Sequence, residues 1–158
     1  MSTPDLSDKY PNLDFINLQF RNFGKQGFYS GQIETVFCPD DNSKVKEILS
    51  TPGKGKILIV DGSASTRVAL MGDMIAKSAE ENNWKAVIIN GCVRDVNELG
   101  NFNIGIFALG SVPRKSEKKD RGDVAISLKI GGVQVDSGSW AYADDNGVLV
   151  SKDSLKLD

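Results

Sequence analysis

Two short stretches carry residue types at spacings that suit chemistry on an anionic ligand: Gly72-Asp73-Met74-Ile75, and Arg94-Asp95 with Glu98 three residues on. Gly72 interrupts a run of helical period (Val68, Ala69, Leu70, Met71, Met74, Ile75, Ala79), where a glycine costs about 1 kcal/mol relative to alanine. Two accounts stand. Either the glycine permits close packing of a helix over 65–80, or the helix begins at Gly72. In the second case the amides of Asp73, Met74 and Ile75 are unpaired at the positive end of the helix dipole, which makes a site for a carboxylate. Arg94-Asp95 follows an aliphatic run and a glycine turn. That places it at the carboxyl end of a strand, where open α/β sheets bind ligands. Arg94 offers a fork for a carboxylate, and Asp95 offers oxygen to a hard cation; a pair of charges on a solvated loop is the competing reading. Glu98 has three readings: orienting Arg94, reaching a metal-bound water, or starting a helical turn.

The chain contains no histidine. This removes the Ser-His-Asp triad, the Cys-His pair and every imidazole ligand to zinc or iron. Any metal must be held mainly by oxygen, which favours magnesium, calcium or manganese. Proton transfer falls to carboxylates, lysine, tyrosine or water. Cys38 and Cys92 have no second thiol near either, so they read as two free buried thiols of a reducing compartment. Arg114 to Arg121 is basic with interleaved acids and no aromatic residue, which fits a solvated loop better than a nucleic-acid site. Arg121-Gly122-Asp123 spells an adhesion tripeptide by chance, and Tyr142 to Gly147 reads as a turn before a last strand.

The elements that must position these residues follow from pattern. A short helix starts with Thr3 as cap and Pro4 at its first position, and Pro11 stops it near Tyr10. Residues 31–38 alternate like a half-buried strand. Asn42 or Ser43 caps a helix over 44–50. Ile57 to Val60, Ala86 to Ile89 and Ile104 to Leu109 read as buried strands, with the 65–80 helical stretch between the first two. Strand–helix–strand–loop–strand predicts an α/β fold with some parallel pairing. After residue 120 shorter strands are expected at 123–130, 132–136 and 147–151.

The length of 158 residues predicts one domain, 1–158, with a substantial core. The 19 basic and 21 acidic residues give a net charge of −2, which argues against nucleic acid as a direct partner. Asp5 and Asp8 occupy the place of a signal-peptide apolar segment, and no aliphatic run is long enough to span a bilayer. A cytoplasmic protein with no membrane contact is the expectation.

Phe23-Gly24, Phe28-Tyr29-Ser30-Gly31, Ile59-Val60-Asp61-Gly62, Ala69-Leu70-Met71-Gly72-Asp73, Ile89 to Asp95 and Tyr142 to Gly147 together, in this order, resemble the regulator of RNase E activity A family, which includes the 4-hydroxy-4-methyl-2-oxoglutarate aldolases. The likeness covers nearly the whole chain. It implies an α/β/α sandwich of the swivelling phosphohistidine-domain type, assembled as a homotrimer with sites between subunits. It implies a divalent-metal-dependent aldolase that releases pyruvate from 4-hydroxy-4-methyl-2-oxoglutarate, with a secondary oxaloacetate decarboxylase activity. The family signature is a glycine, twenty residues, Arg-Asp, two residues and an acid. Arg94 to Glu98 fits its second half. Twenty-one residues separate Gly72 from Arg94, and the extra one is assigned to the Glu81 to Trp84 loop.

Carried over by position, the backbone of Gly72, Asp73, Met74 and Ile75 binds the pyruvate moiety together with Arg94. Asp95 ligates Mg2+, and Asp73 holds a metal-bound water. The metal and Arg94 stabilise the enolate formed as the carbon–carbon bond breaks. The general base is not identified; a water near Asp73 is the candidate. A Schiff-base role for Lys56, Lys85 or Lys129 ranks below this. Some members of the family bind and inhibit a ribonuclease, and these lack the Asp of the Arg-Asp pair, which this chain has as Asp95. A non-catalytic ribonuclease regulator is the alternative.

Overall fold

The aliphatic runs at 57–60 and 86–89 form the centre of a sheet, and every residue in them is buried. Both pair in parallel with strands on each side. A strand covered on both faces needs apolar residues at every position, so these runs do not alternate. The computed structural model describes residues 1–158. In chain order it contains α1 (Thr3–Lys9), β1 (Asp14–Phe15), β2 (Arg21–Asn22), β3 (Tyr29–Phe37), α2 (Ser43–Leu49), β4 (Ile57–Asp61), α3 (Asp73–Glu81) and β5 (Ala86–Val93). There follow α4 (Val96–Leu99), β6 (Gly105–Ser111), β7 (Asp123–Val124), β8 (Leu128–Ile130), β9 (Val133–Val135), β10 (Trp140–Asp144) and β11 (Gly147–Ser151).

The main sheet runs β1-β11-β10-β3-β4-β5-β6-β2, with β7 also paired to β3; β8 and β9 form a separate hairpin. Strands β3 to β6 are mutually parallel, and the outer strands join antiparallel. This is a mixed α/β fold. Successive side chains leave opposite faces of a strand. Leu58, Val60, Val87 and Ile89 pack with Val45 and Leu49 of α2 and Ala76 and Ala79 of α3. Ile57, Ile59, Ala86 and Ile88 pack on the other face with Leu128, Ile130 and Val135 of the hairpin and with Ala141 and Val148. That second face is therefore covered by strands, while α1 packs its Leu6 on Tyr142 and Leu149 of β10 and β11. No helix is long and apolar enough to cross a membrane.

Several elements differ from the sequence expectation for identifiable reasons. The helix expected over 65–80 begins only at Asp73, with Gly72 as its N-cap. Ala69, Leu70 and Met71 are buried but not helical. The Leu70 N–H donates to the Cys92 carbonyl at 2.8 Å, the Arg94 N–H to the Met71 carbonyl at 3.0 Å and the Ala69 N–H to the Arg114 carbonyl at 2.8 Å. The segment is apolar because both its edges are covered, and its spacing mimics a helical stripe. β5 likewise runs on through Gly91 to Val93, with a register shift between Ile89 and Cys92 where a turn was expected. β10 is a full strand paired to both β3 and β11, so the turn is confined to the residues between Asp144 and Gly147.

The cap of α1 is Ser2, whose hydroxyl accepts the Asp5 N–H. Thr3, expected as that cap, instead donates its N–H and its hydroxyl to the buried Asp144 carboxylate at 2.8 and 2.6 Å. Burial favours the neutral form of Asp144, but these bonds and those from Asn146 hold its pKa below the usual carboxylate range. Cys38 and Cys92 are free and buried, as expected. Burial, with the nearby Asp41 and Asp61 carboxylates adding, pushes the Cys38 thiol up to about 12.

Candidate active site

The carboxyl ends of the parallel strands point to one edge of the sheet. β5 delivers Arg94 and Asp95 there, and the 69–71 segment, tied to the end of β5, delivers Gly72 and the start of α3. The two stretches singled out in the sequence thus lie side by side. They line a cleft of about 210 Å³, together with residues of α2 and of the 115–118 loop.

Asp95 turns the chain with a left-handed φ of 59°, a conformation Asp tolerates better than most residues. In this position its Oδ2 accepts the Asp73 N–H at 2.9 Å, so the carboxylate caps α3 from another element. The cradle expected from three free amides is therefore smaller by one. The first amide to bond back within the helix is that of Ala76, to the Gly72 carbonyl. Met74 and Ile75 keep the amides available to a ligand. Gly72 has an ordinary extended φ of −138°, so backbone freedom is not why it is glycine. A Cβ there would collide with Asp95 Oδ2 and press on Arg94 Cγ.

Arg94 is half-buried, and its guanidinium has only a long contact, 3.5 Å from Nη1 to the Pro113 carbonyl. The fork is left for a ligand. Asp73 is half-buried in the first turn of α3, and the Met74 side chain is exposed. Glu98 is exposed in the first turn of the four-residue α4, its N–H donating to the Asp95 carbonyl, which is the helical-turn reading. Lys85 and Lys129 are exposed and Lys56 is half-buried, so no lysine sits in an apolar pocket that would make it a Schiff-base nucleophile.

No group of three or more His, Cys, Asp or Glu side chains gathers anywhere in the chain. A cation at this edge would meet Asp95 Oδ1, the oxygen not used on the Asp73 N–H, with the Asp73 carboxylate lining the same cleft. A cation that keeps most of its water, as magnesium does, fits such a donor set.

Sequence reasoning missed the other wall of the cleft. Asn42, Lys46, Lys115, Ser116 and Lys118 line it. Asn42 was expected only as a helix cap; it holds the cap position of α2 but makes no side-chain capping bond. Asp41 does that work instead. Its fully buried carboxylate accepts the Ser43 N–H and hydroxyl and the amides of Lys119 and Arg121. Burial opposes ionisation of Asp41, but these donors outweigh it and hold its pKa well below the usual range. No spacing in the sequence announced this contact, because its partners lie nearly eighty residues apart.

Fold and site together define a mixed α/β protein with a cleft at the carboxyl ends of its parallel strands that brings Arg94, the Asp95 carboxylate and the first turn of α3 together. The chain belongs to the RraA-like family, described as Aldolase/RraA, whose model matches residues 3–150. A relative from Shewanella oneidensis, named "Putative 4-hydroxy-4-methyl-2-oxoglutarate aldolase", is 50% identical over 98% of this chain and 94% of its own. The structure of the RNA-processing inhibitor RraA from Thermus thermophilis superposes with a TM-score of 0.94 at 38% identity, covering 99% of this chain and 95% of that one. A structure described as S-adenosylmethionine: 2-dimethylmenaquinone methyltransferase from Geobacillus kaustophilus superposes with a TM-score of 0.93 at 41% identity, over 98% of this chain and 97% of that one. These names assign three different roles to one fold, so the choice among them rests on the site.

Proposed function

We propose that this protein is a divalent-metal-dependent aldolase that cleaves 4-hydroxy-4-methyl-2-oxoglutarate to pyruvate, with oxaloacetate decarboxylation as a secondary activity. The observation that carries the reading is the convergence of Arg94, the Asp95 carboxylate and the first turn of α3 on one cleft. In this reading residues 1–158 are one RraA-like domain of the swivelling phosphohistidine-domain type.

Asp95 would hold the cation, Mg2+ by the donor set, with Asp73 holding a water of its shell. A divalent cation bound there supplies positive charge that draws electron density from the substrate's 2-oxo acid end. The amides of Met74 and Ile75, with the positive end of α3 behind them, bind the substrate carboxylate. Gly72 leaves room for that approach. Arg94 places its guanidinium against the substrate oxygen on which negative charge grows as the carbon–carbon bond breaks, and it is available for this because no internal carboxylate claims it. Aldol cleavage and decarboxylation develop the same charge on the same three-carbon fragment, so one constellation serves both. The proton of the substrate hydroxyl passes to a water positioned by Asp73.

With a single carboxylate for the cation in one chain, further oxygen ligands would come from a neighbouring copy. We assign a homotrimer with sites between subunits. A steady-state assay of pyruvate release from both 2-oxo acids, with and without a chelator, tests the function. Release unaffected by chelation removes the metal, and no release from either substrate removes the aldolase.

The close superposition on the RNA-processing inhibitor RraA favours a second reading, a regulator that docks on a ribonuclease. It predicts binding to an RNase E-like enzyme that survives Asp95→Ala, a variant that removes the proposed metal ligand.

A further inference from the structure

Five of the eight residues from Arg114 to Arg121 are basic. Together with Arg67 they line a surface groove of about 1030 Å³ that holds only two carboxylates, those of Asp40 and Glu117. Six cations against two acids is a steep local excess in a chain whose net charge is −2. Lys115, Ser116 and Lys118 line both this groove and the cleft, so the loop is the ridge between them. Arg67, Arg114, Lys119 and Arg121 belong to the groove and do not line the cleft.

The chain between β6 and β7 forms no helix, yet it is pinned at three points. The Arg114 carbonyl accepts the Ala69 N–H at 2.8 Å, and the hydroxyl of buried Ser116 accepts the Asn42 N–H at 2.8 Å. The buried Asp41 carboxylate accepts the Lys119 and Arg121 N–H groups at 2.9 and 3.2 Å. These pins use the backbone and one hydroxyl, and all five basic side chains of the loop stay exposed. Like charges held side by side repel, so a loop that met only solvent would gain by letting them spread. Here they stand on a fixed frame, which lowers the ordering cost of binding. Arg114, Lys115 and Lys118 have no ion-pair partner, and Asp120, the loop's other acid, is engaged by Lys44 outside the groove.

A ligand that matches this surface carries several negative charges, and the lining separates two kinds. No aromatic residue lines the groove, so a nucleic-acid base has nothing to stack on. The Asp40 and Glu117 carboxylates repel a phosphate backbone, which has no donor to offer them, whereas the N–H groups of a peptide suit them as acceptors. Cations interleaved with acids complement spaced carboxylates better than a continuous run of phosphates. We infer that the groove docks an extended acidic segment of a protein partner, with Arg67, Arg114, Lys119 and Arg121 taking its carboxylates.

Fluorescence anisotropy of the full chain with a labelled peptide of alternating Glu and Ser, at fixed low ionic strength, tests this against a neutral peptide of alternating Gln and Ser. The acidic peptide is expected to bind at least tenfold more tightly. The Arg114→Gln/Lys119→Gln double variant, which leaves the backbone pins in place, should weaken it at least fivefold. Lys25→Gln/Lys152→Gln removes the same charge at two exposed positions outside the groove and should change it less than twofold. Equal affinities for the two peptides, or equal losses in the two double variants, overturn the docking groove. A single-stranded oligodeoxynucleotide of the same charge that binds as tightly as the acidic peptide, with the same dependence on Arg114 and Lys119, makes the groove a nucleic-acid site and overturns the peptide.

Discussion

Asp95 Oδ2 accepts the backbone N–H of Asp73 at 2.9 Å, across a separation of 22 residues. One carboxylate thus closes the start of α3 with one oxygen, while its residue also lines the cleft. The proposed metal ligand is thus also a helix cap, and substitutions that separate the two roles are the informative ones.

Asp95→Ala is expected to abolish magnesium-dependent pyruvate release and to lower stability by about 1 kcal/mol through the lost cap, with a further penalty for alanine at a left-handed φ. Asp95→Asn keeps an acceptor for the Asp73 N–H and tolerates the backbone, so its melting temperature should stay near wild type while activity is still lost. Thermal melts paired with turnover check this. An Asp95→Asn enzyme with a third or more of wild-type turnover removes Asp95 as metal ligand.

Arg94 is expected to act in turnover as well as in affinity. Removing such a charge-assisted contact costs about 2–4 kcal/mol, or roughly 30- to 1,000-fold in rate. Arg94→Lys keeps the charge and loses the fork, so it should fall near the lower end, and Arg94→Ala near the upper. Magnesium binding should change little. Catalytic efficiency of Arg94→Ala within about threefold of wild type, only ~0.7 kcal/mol, refutes the role.

Gly72→Ala tests the packing of the site. Its backbone accepts alanine, but the new Cβ conflicts with Asp95 Oδ2 and meets Arg94 Cγ at 3.3 Å. Displacing Asp95 should cost about 0.5–2 kcal/mol of stability, as for a lost cap, and at least tenfold in turnover, a penalty of about 1.4 kcal/mol. Undiminished activity in this variant contradicts the close contact.

Asp41 predicts an acid limb of stability. Its folded pKa is depressed, chiefly against burial, by the Ser43, Lys119 and Arg121 donors. The stability it contributes is full above the unfolded value of about 3.9 and is lost as pH falls through the folded one. Asp41→Asn should cost about 1–3 kcal/mol at pH 7, as buried donors lose a charged acceptor, and should flatten the pH dependence below pH 4. Urea midpoints at pH 7 and pH 3 measure both. A variant whose acid limb matches the wild type assigns that limb to other carboxylates.

Assembly is checked by light scattering. A homotrimer gives three times the 17.1 kDa chain mass. A monomer at micromolar concentration with full activity excludes sites completed by a neighbouring copy.

The sequence by itself determined the central strands, because residues buried on both faces must be apolar throughout, and Ile57 to Val60 and Ala86 to Ile89 have no other reading. It also determined the candidates Gly72, Arg94 and Asp95, since a glycine within an apolar pattern and an Arg-Asp pair after a buried strand are local signals. Tertiary structure decided the rest. Ala69 to Met71 look helical by spacing, yet they form no helix, because hydrogen bonds to Cys92, Arg94 and Arg114 outweigh a weak local propensity. Trp140 to Asp144 were hidden as a strand because turn residues adjoin them and their partners, β3 and β11, are set by long-range pairing. The cap of α3 by Asp95, the anchoring of the 115–121 loop by Asp41 and the place of Asn42 in the cleft wall join residues far apart in the chain. No periodicity records such contacts, because their energy comes from groups that meet only once the sheet has brought its carboxyl ends together.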